Sequence, residues 1–183
     1  MPFDAAPELL QFDRHAILAG EAWRLWTCHA VHYSLQHALI DLATAGAAAA
    51  VALPALGWRR LCILLALGAP LISAGLLLLA PECLYYRGAS GIAVMLVVLA
   101  AGTLWPRAGM RGRAALVVLA AALLTKIAAE ASGHAAGWSD LPPDVRVAWQ
   151  SHLIGASLGA FFNMASLLLT RLCSLHVTRA GTS

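Results

Sequence analysis

Apolar residues along this chain fall into five long runs separated by short breaks that carry charge, glycine or proline. The first extends from about Tyr33 to Leu53 and is rich in alanine (Ala45, Ala47 to Ala50), with Pro54 and Gly57 expected to end it. The second extends from about Leu61 to Ala80, and Pro70 should kink it because proline removes a helical hydrogen bond. The third opens at Ser90 and closes near Trp105-Pro106, the fourth covers about Ala114 to Ala131, and the fifth about Gln150 to Leu172. Runs of roughly 20 apolar residues match the hydrocarbon thickness of a bilayer when helical. The pattern predicts an all-α, polytopic bundle of transmembrane helices with five spans. A stretch rich in Gly, Asp and Pro (Gly133 to Val147) joins the last two.

The first 27 residues follow a different pattern. Asp4, Glu8, Asp13, Arg14, Glu21 and Arg24 interrupt Leu9, Leu10, Phe12, Ile17, Leu18, Trp23 and Trp26, so nothing there can cross a membrane. No basic stretch precedes an apolar one, which excludes a signal peptide. The expectation is a segment lying at the membrane interface, with tryptophans at headgroup depth. The chain then divides into an interfacial segment and first loop (1–32), a transmembrane domain (33–172) and a cytoplasmic tail (173–183).

Composition agrees: 61% of the 183 residues are hydrophobic and 11% charged, against about 45–50% and 25% in soluble domains. The net charge of +3 is small and gives no reason to expect nucleic acid. Its distribution is informative. Arg59 and Arg60 follow the first run, Arg107, Arg111 and Arg113 the third, and Arg171 and Arg179 the fifth. Asp4, Glu8, Asp13, Glu21, Glu82, Asp140 and Asp144 lie on the other side. Positive charge stays in the cytoplasm, so runs one, three and five begin on the outer face. The four cysteines form no C-x-x-C pair and no zinc spacing. No disulfide framework is expected, and Cys28 with Cys83 is the pairing a shared side would allow.

Candidate chemistry centres on Gly88-Ala89-Ser90-Gly91. A serine at a helix start lies beside free N–H groups that favour negative charge, which suits the oxyanion of an attacked carbonyl. The plain alternative is an N-cap. A nucleophilic serine needs a base, and Ser151-His152-Leu153-Ile154-Gly155 with Gly159 offers one: His152, Gly155 and Gly159 share a helical face. Glycines spaced by four let membrane helices approach closely, and Ser90, Ala93, Val97 and Ala101 form a slim face to receive them. The alternative for His152 is a bond to a backbone carbonyl. A second cluster holds His29, His32, His37 and Asp41, of which His37 and Asp41 share a face. Its spacing fits no zinc motif. A haem between His37 and His152 is a further alternative, and interfacial hydrogen bonding is the expectation for His29 and His32. Lys126 and Glu130, one turn apart, should neutralise each other in the membrane.

Together these residues resemble a known family. Trp23-Arg24 with Thr27, His32, His37 and position 41 resembles the first loop and second helix of the rhomboid intramembrane serine proteases. Gly88-Ala89-Ser90-Gly91 resembles their G-x-S-G motif, and His152 to Gly159 their H-x-x-G-x-x-x-G helix. The Tyr86-Arg87-Gly88-x-Ser90-Gly91 form, the short loops and the Lys126/Glu130 pair look most like the rhombosortase branch. The resemblance implies a Ser90–His152 dyad without an acid, and an oxyanion held by His37, Asp41 and the Ser90 N–H. It implies no cofactor and a site facing the periplasm in a bacterial inner membrane. The implied partners are membrane lipid and exported proteins carrying a C-terminal Gly-Gly motif, an apolar span and a basic end. A non-catalytic rhomboid-like protein that binds transmembrane helices is the alternative from another class. The chain departs from the family in three places. Asp41 stands where asparagine is usual. Val94 stands where many members place a tyrosine under the histidine. The span before the Trp-Arg loop is not in this sequence, which gives a six-span core minus its first helix.

Overall fold

The computed structural model describes residues 6–134 and 147–180. The expected Gly-, Asp- and Pro-rich connection falls mostly outside them, as do Asp4, Asp140 and Asp144. Long helices dominate: α4 (Leu35–Leu56), α5 (Trp58–Leu79), α6 (Ser90–Leu104), α7 (Met110–Ala131) and α8 (Trp149–Ala180), preceded by short α1 (Ala6–Leu10), α2 (Arg14–Leu18) and α3 (Arg24–Thr27). Among the described residues four segments are long and apolar enough to cross a bilayer: α4, α5, α7, and α6 together with the 3-10 turn Trp105–Arg107 that extends it. The fifth expected span lies within α8, which continues as helix past Leu172 to Ala180.

Local chemistry sets the boundaries. The Ser34 side chain accepts the His37 N–H at 3.1 Å and starts α4. Pro54 sits inside the last turn of α4 rather than ending it, and Gly57 at φ 75° makes the turn into α5. Pro70 likewise lies within a continuous α5.

α6 is the central helix. It is apolar all round, as a helix enclosed by others should be, and it lies between α4 and α8. Ala48, Ala52, Leu61, Met95, Leu96, Leu99 and Ala100 form the main core of α4, α5 and α6. A smaller core of Phe12, Ile17, Cys28, Leu76, Ala80 and Tyr86 closes one end of the bundle. There the N-terminal segment is tied down by two features. A two-residue antiparallel ladder pairs β1 (Phe12–Asp13) with β2 (Tyr85–Tyr86). Arg14 then caps the end of α5, donating to the carbonyls of Leu76, Leu77, Ala80 and Cys83 over 2.7–3.2 Å. Carbonyls at a helix C-terminus lack intrahelical partners, and a guanidinium satisfies several together. α7 is the peripheral helix: Ile127 is its one residue buried as a whole, and the Glu130 side chain is buried while its backbone is not.

The starts of α4, α6 and α8 and the ends of α5 and α7 gather at the end closed by residues 6–34. The turns carrying Arg59, Arg60, Arg107, Arg111 and Arg113 lie at the other. Cys28, Cys62 and Cys83 are free, so Cys28 and Cys83 are not paired.

Candidate active site

Ser90 is the first residue of α6, and the N-cap is Ala89, which supplies no side-chain acceptor. The serine hydroxyl is therefore not occupied in capping its own helix. The first N–H groups of α6 also receive no side-chain cap, so the helix start favours negative charge.

The turn before Ser90 is clamped from both sides. The Gly88 N–H donates to the Cys28 carbonyl at 3.0 Å, and the Gly88 carbonyl lies 3.1 Å from His29 Nδ1. His29 Nε2 sits 3.0 Å from both the Ala69 carbonyl and Ser73 Oγ, which ties the clamp to α5. The Ser73 hydroxyl donates onward to the Leu25 carbonyl at 2.9 Å. His29 is thus a buried anchor rather than an interfacial residue. Burial holds its imidazole below the usual histidine range, against the opposing pull of the two carbonyls. Burial likewise pushes the Cys28 thiol up to about 12, so it is no nucleophile.

His32, which the motif reading treats as interfacial, belongs to the site. It accepts the Ala89 N–H at Nε2 (3.3 Å), and the same nitrogen lies 3.3 Å from Asp41 Oδ2. Burial lowers its affinity for a proton, and neighbouring Asp41 partly restores it. His37 Nε2 is also 3.3 Å from Asp41 Oδ2, so two histidines converge on one carboxyl oxygen. Gly88 completes this wall. Its φ of +129° favours glycine, and a Cβ there would lie 2.9 Å from His37 Nε2 and 3.2 Å from Asp41 Oδ2. His37 and Asp41 therefore flank the turn that carries Ser90. His37 Nδ1 is buried without a hydrogen-bond partner.

His152 arrives on the first turn of α8. The two helices meet backbone to backbone: a Cβ on Gly91 would lie 2.9 Å from the Ser151 carbonyl oxygen, and one on Gly155 would overlap the Gly91 carbonyl. Further along, Gly159 faces the Met95 carbonyl and Val98, and Asn163 donates to the Val98 carbonyl at 2.9 Å across Gly102. The receiving face of α6 is therefore Gly91, Met95, Val98 and Gly102. The slim face expected at Ser90, Ala93, Val97 and Ala101 is not the one used. Val97 and Ala101 instead line an apolar groove of about 550 Å³ with Ala47 and Val51 of α4 and Leu116 of α7. The contact at Gly91 puts the residues just before and after it, Ser90 and His152, at one level. No hydrogen bond joins those two side chains among the described residues, and such bonds often tighten only when substrate binds.

Two features escape the motif reading. His152 is not without an acid: its Nδ1 lies 2.6 Å from Glu130 Oε2, and both side chains are buried. Glu130 therefore does more than neutralise Lys126, which it also binds. The Tyr86 phenol, buried without a hydrogen-bond partner, faces Ser90 and Ser151. Burial pushes it well above the usual phenol range. It brings a tyrosine to the serine from the preceding strand, where Val94 offers none. Among the described residues, no group of three or more His, Cys, Asp or Glu is arranged to hold a metal ion.

Residues 19–169 match the family model of the Rhomboid domain. No curated protein matches the chain.

Proposed function

The chain belongs to the rhomboid family of intramembrane serine proteases, and we propose that it is an active member of the rhombosortase type, with Ser90 as nucleophile and His152 as base. The observation that carries this reading is the Gly91–Ser151 and Gly155–Gly91 backbone contact, which brings the start of α6, where Ser90 does not cap its own helix, against the first turn of α8, where His152 is buried. In the first step the Ser90 Oγ–H proton passes to His152 Nε2 as Oγ bonds to the scissile carbonyl carbon, and the C=O electron pair moves onto oxygen. That oxyanion meets the uncapped Ser90 N–H, with His37 nearby, held by Asp41. Collapse of the intermediate breaks the C–N bond, and the departing amine takes the proton from His152. Water then repeats the sequence on the acyl-enzyme and frees Ser90.

The substrates of this reading are exported proteins with a C-terminal Gly-Gly motif, an apolar span and a basic end. The arginine distribution supports a site open to the periplasm of a bacterial inner membrane, where water can reach it. The test is cleavage of a Gly-Gly tail substrate in vesicles. Ser90→Ala and His152→Ala should each abolish cleavage, and the double variant should be no worse than either, because the pair acts as a unit. Activity near wild type in either single variant overturns the assignment. Inertness of the wild type, with binding of helical tails retained, would favour the non-catalytic reading.

A further inference from the structure

The carboxylate on α7 goes beyond a two-residue mechanism. Resting on the Ser90–His152 reading, we propose that Glu130 is a positioning residue that fixes the tautomer of His152 and stabilises its protonated form, making a relay of three side chains. Glu130 Oε2 lies 2.6 Å from His152 Nδ1, with 5% and 4% of the two side chains exposed. An ionised carboxylate only accepts hydrogen bonds, so Nδ1 must carry the hydrogen. The lone pair is then on Nε2, the nitrogen that takes the serine proton.

The remaining carboxylate oxygen is held by Lys126 one turn earlier, whose side chain is 45% exposed and keeps contact with the surroundings. That pairing allows a buried carboxylate to remain ionised. Among the described residues the charged groups at the imidazole are thus Glu130 and, through it, Lys126, both on α7. The Tyr86 phenol lies on the side of Ser90 and Ser151, and Glu82 is engaged by Gln150 at 2.5 Å. α7 buries little else against the bundle, so this bond also fixes where its outer end docks on α8.

The test compares Glu130→Gln, Lys126→Met, Ser90→Ala and wild type, using a Gly-Gly tail peptide in vesicles, with ¹⁵N spectra of labelled His152 in the intact protein. Glu130→Gln should lower kcat on the order of 100-fold with little change in KM. The acid limb of its kcat/KM profile should move to lower pH, because the imidazolium loses its counter-charge. Lys126→Met should move that limb the other way. A merely structural role would reduce the rate without moving either limb. The wild-type spectrum should show a protonated Nδ1 and a bare Nε2 at neutral pH. A Glu130→Gln enzyme with the wild-type rate and acid limb overturns the proposal, and so does a wild-type spectrum with the hydrogen on Nε2, which decides the matter even if the variant does not fold. Full cleavage by Ser90→Ala would instead remove the Ser90–His152 reading, and the spectrum would still report on Glu130.

Discussion

Replacing Gly155 by alanine places a methyl carbon inside the space of the Gly91 carbonyl oxygen, and neither group can turn away because both belong to helix backbones. At Gly91 the same change is milder: the new carbon would sit 2.9 Å from the Ser151 oxygen and 3.1 Å from Ile72 Cγ2. A separation of about 0.5 Å restores ordinary contact there. Gly155→Ala needs more than twice that, and the separation falls between the helix starts that carry Ser90 and His152. A misplacement of roughly 1 Å costs on the order of 100-fold in rate, and overpacking costs about 1–3 kcal/mol of stability. The expected order of cleavage rates is therefore wild type, then Gly91→Ala, then Gly155→Ala, the last at least about 100-fold down. Gly46→Ala is the control, since its Cβ meets nothing within 4 Å. The assay is initial rate in vesicles, with melting temperature in detergent measured alongside. A Gly155→Ala enzyme with the wild-type rate would refute the claim that this contact sets the distance between the proposed nucleophile and base.

Other perturbations reach the supports of the site. Arg14→Met leaves the carbonyls of Leu76, Leu77, Ala80 and Cys83 without their donor; about 1–3 kcal/mol of stability should be lost, and an unchanged melting temperature would show that water replaces the guanidinium. The depressed proton affinity of buried His29 predicts that stability is full above the unfolded value of about 6.5 and falls as pH drops below it, because the unfolded chain binds the proton more readily. His29→Gln should melt lower at neutral pH yet show a flatter dependence between pH 7 and 5, and a slope equal to wild type would contradict this. Asp41→Asn should keep the wild-type rate at every pH, since an amide nitrogen at the Oδ2 position can donate to the His37 ring. A slower Asn variant beside a wild type that stays flat into alkaline pH would instead identify Asp41 as an ionised acceptor.

The spans were legible because a run of some 20 apolar residues has few alternatives to a membrane helix. The close approach of α8 to α6 was legible as well, through the glycines below the histidine. The receiving face was not. Ser90, Ala93, Val97 and Ala101 are small, but glycine alone lets two backbones touch, and Gly91 with Gly102, three turns apart, was the signal that pointed to the true face. Glu130 was read correctly as the partner of Lys126 but incompletely, for a related reason. Its helical neighbour Lys126 accounts for one carboxylate oxygen, and sequence spacing says nothing of what meets the other. Arg14, Gln11 and Tyr86 reach the site region through pairings that span more than 60 residues of chain, beyond any periodicity.

The two halves of the site rest on different supports, and this shapes how it can work. Ser90 is held by a loop: Cys28, His29 and His32 fix the peptides of Gly88 and Ala89, and the short ladder fixes Tyr86. His152 is held by helices, with the glycine contact to α6 on one side and Glu130 of α7 on the other. The glycine contact links the two supports at the level of the chemistry, and the Tyr86 phenol faces both Ser90 and Ser151. On the proposed reading the nucleophile therefore sits on the clamped turn and the base on the helices, so that Glu130→Gln acts on His152 and leaves the hydrogen bonds of the serine turn in place.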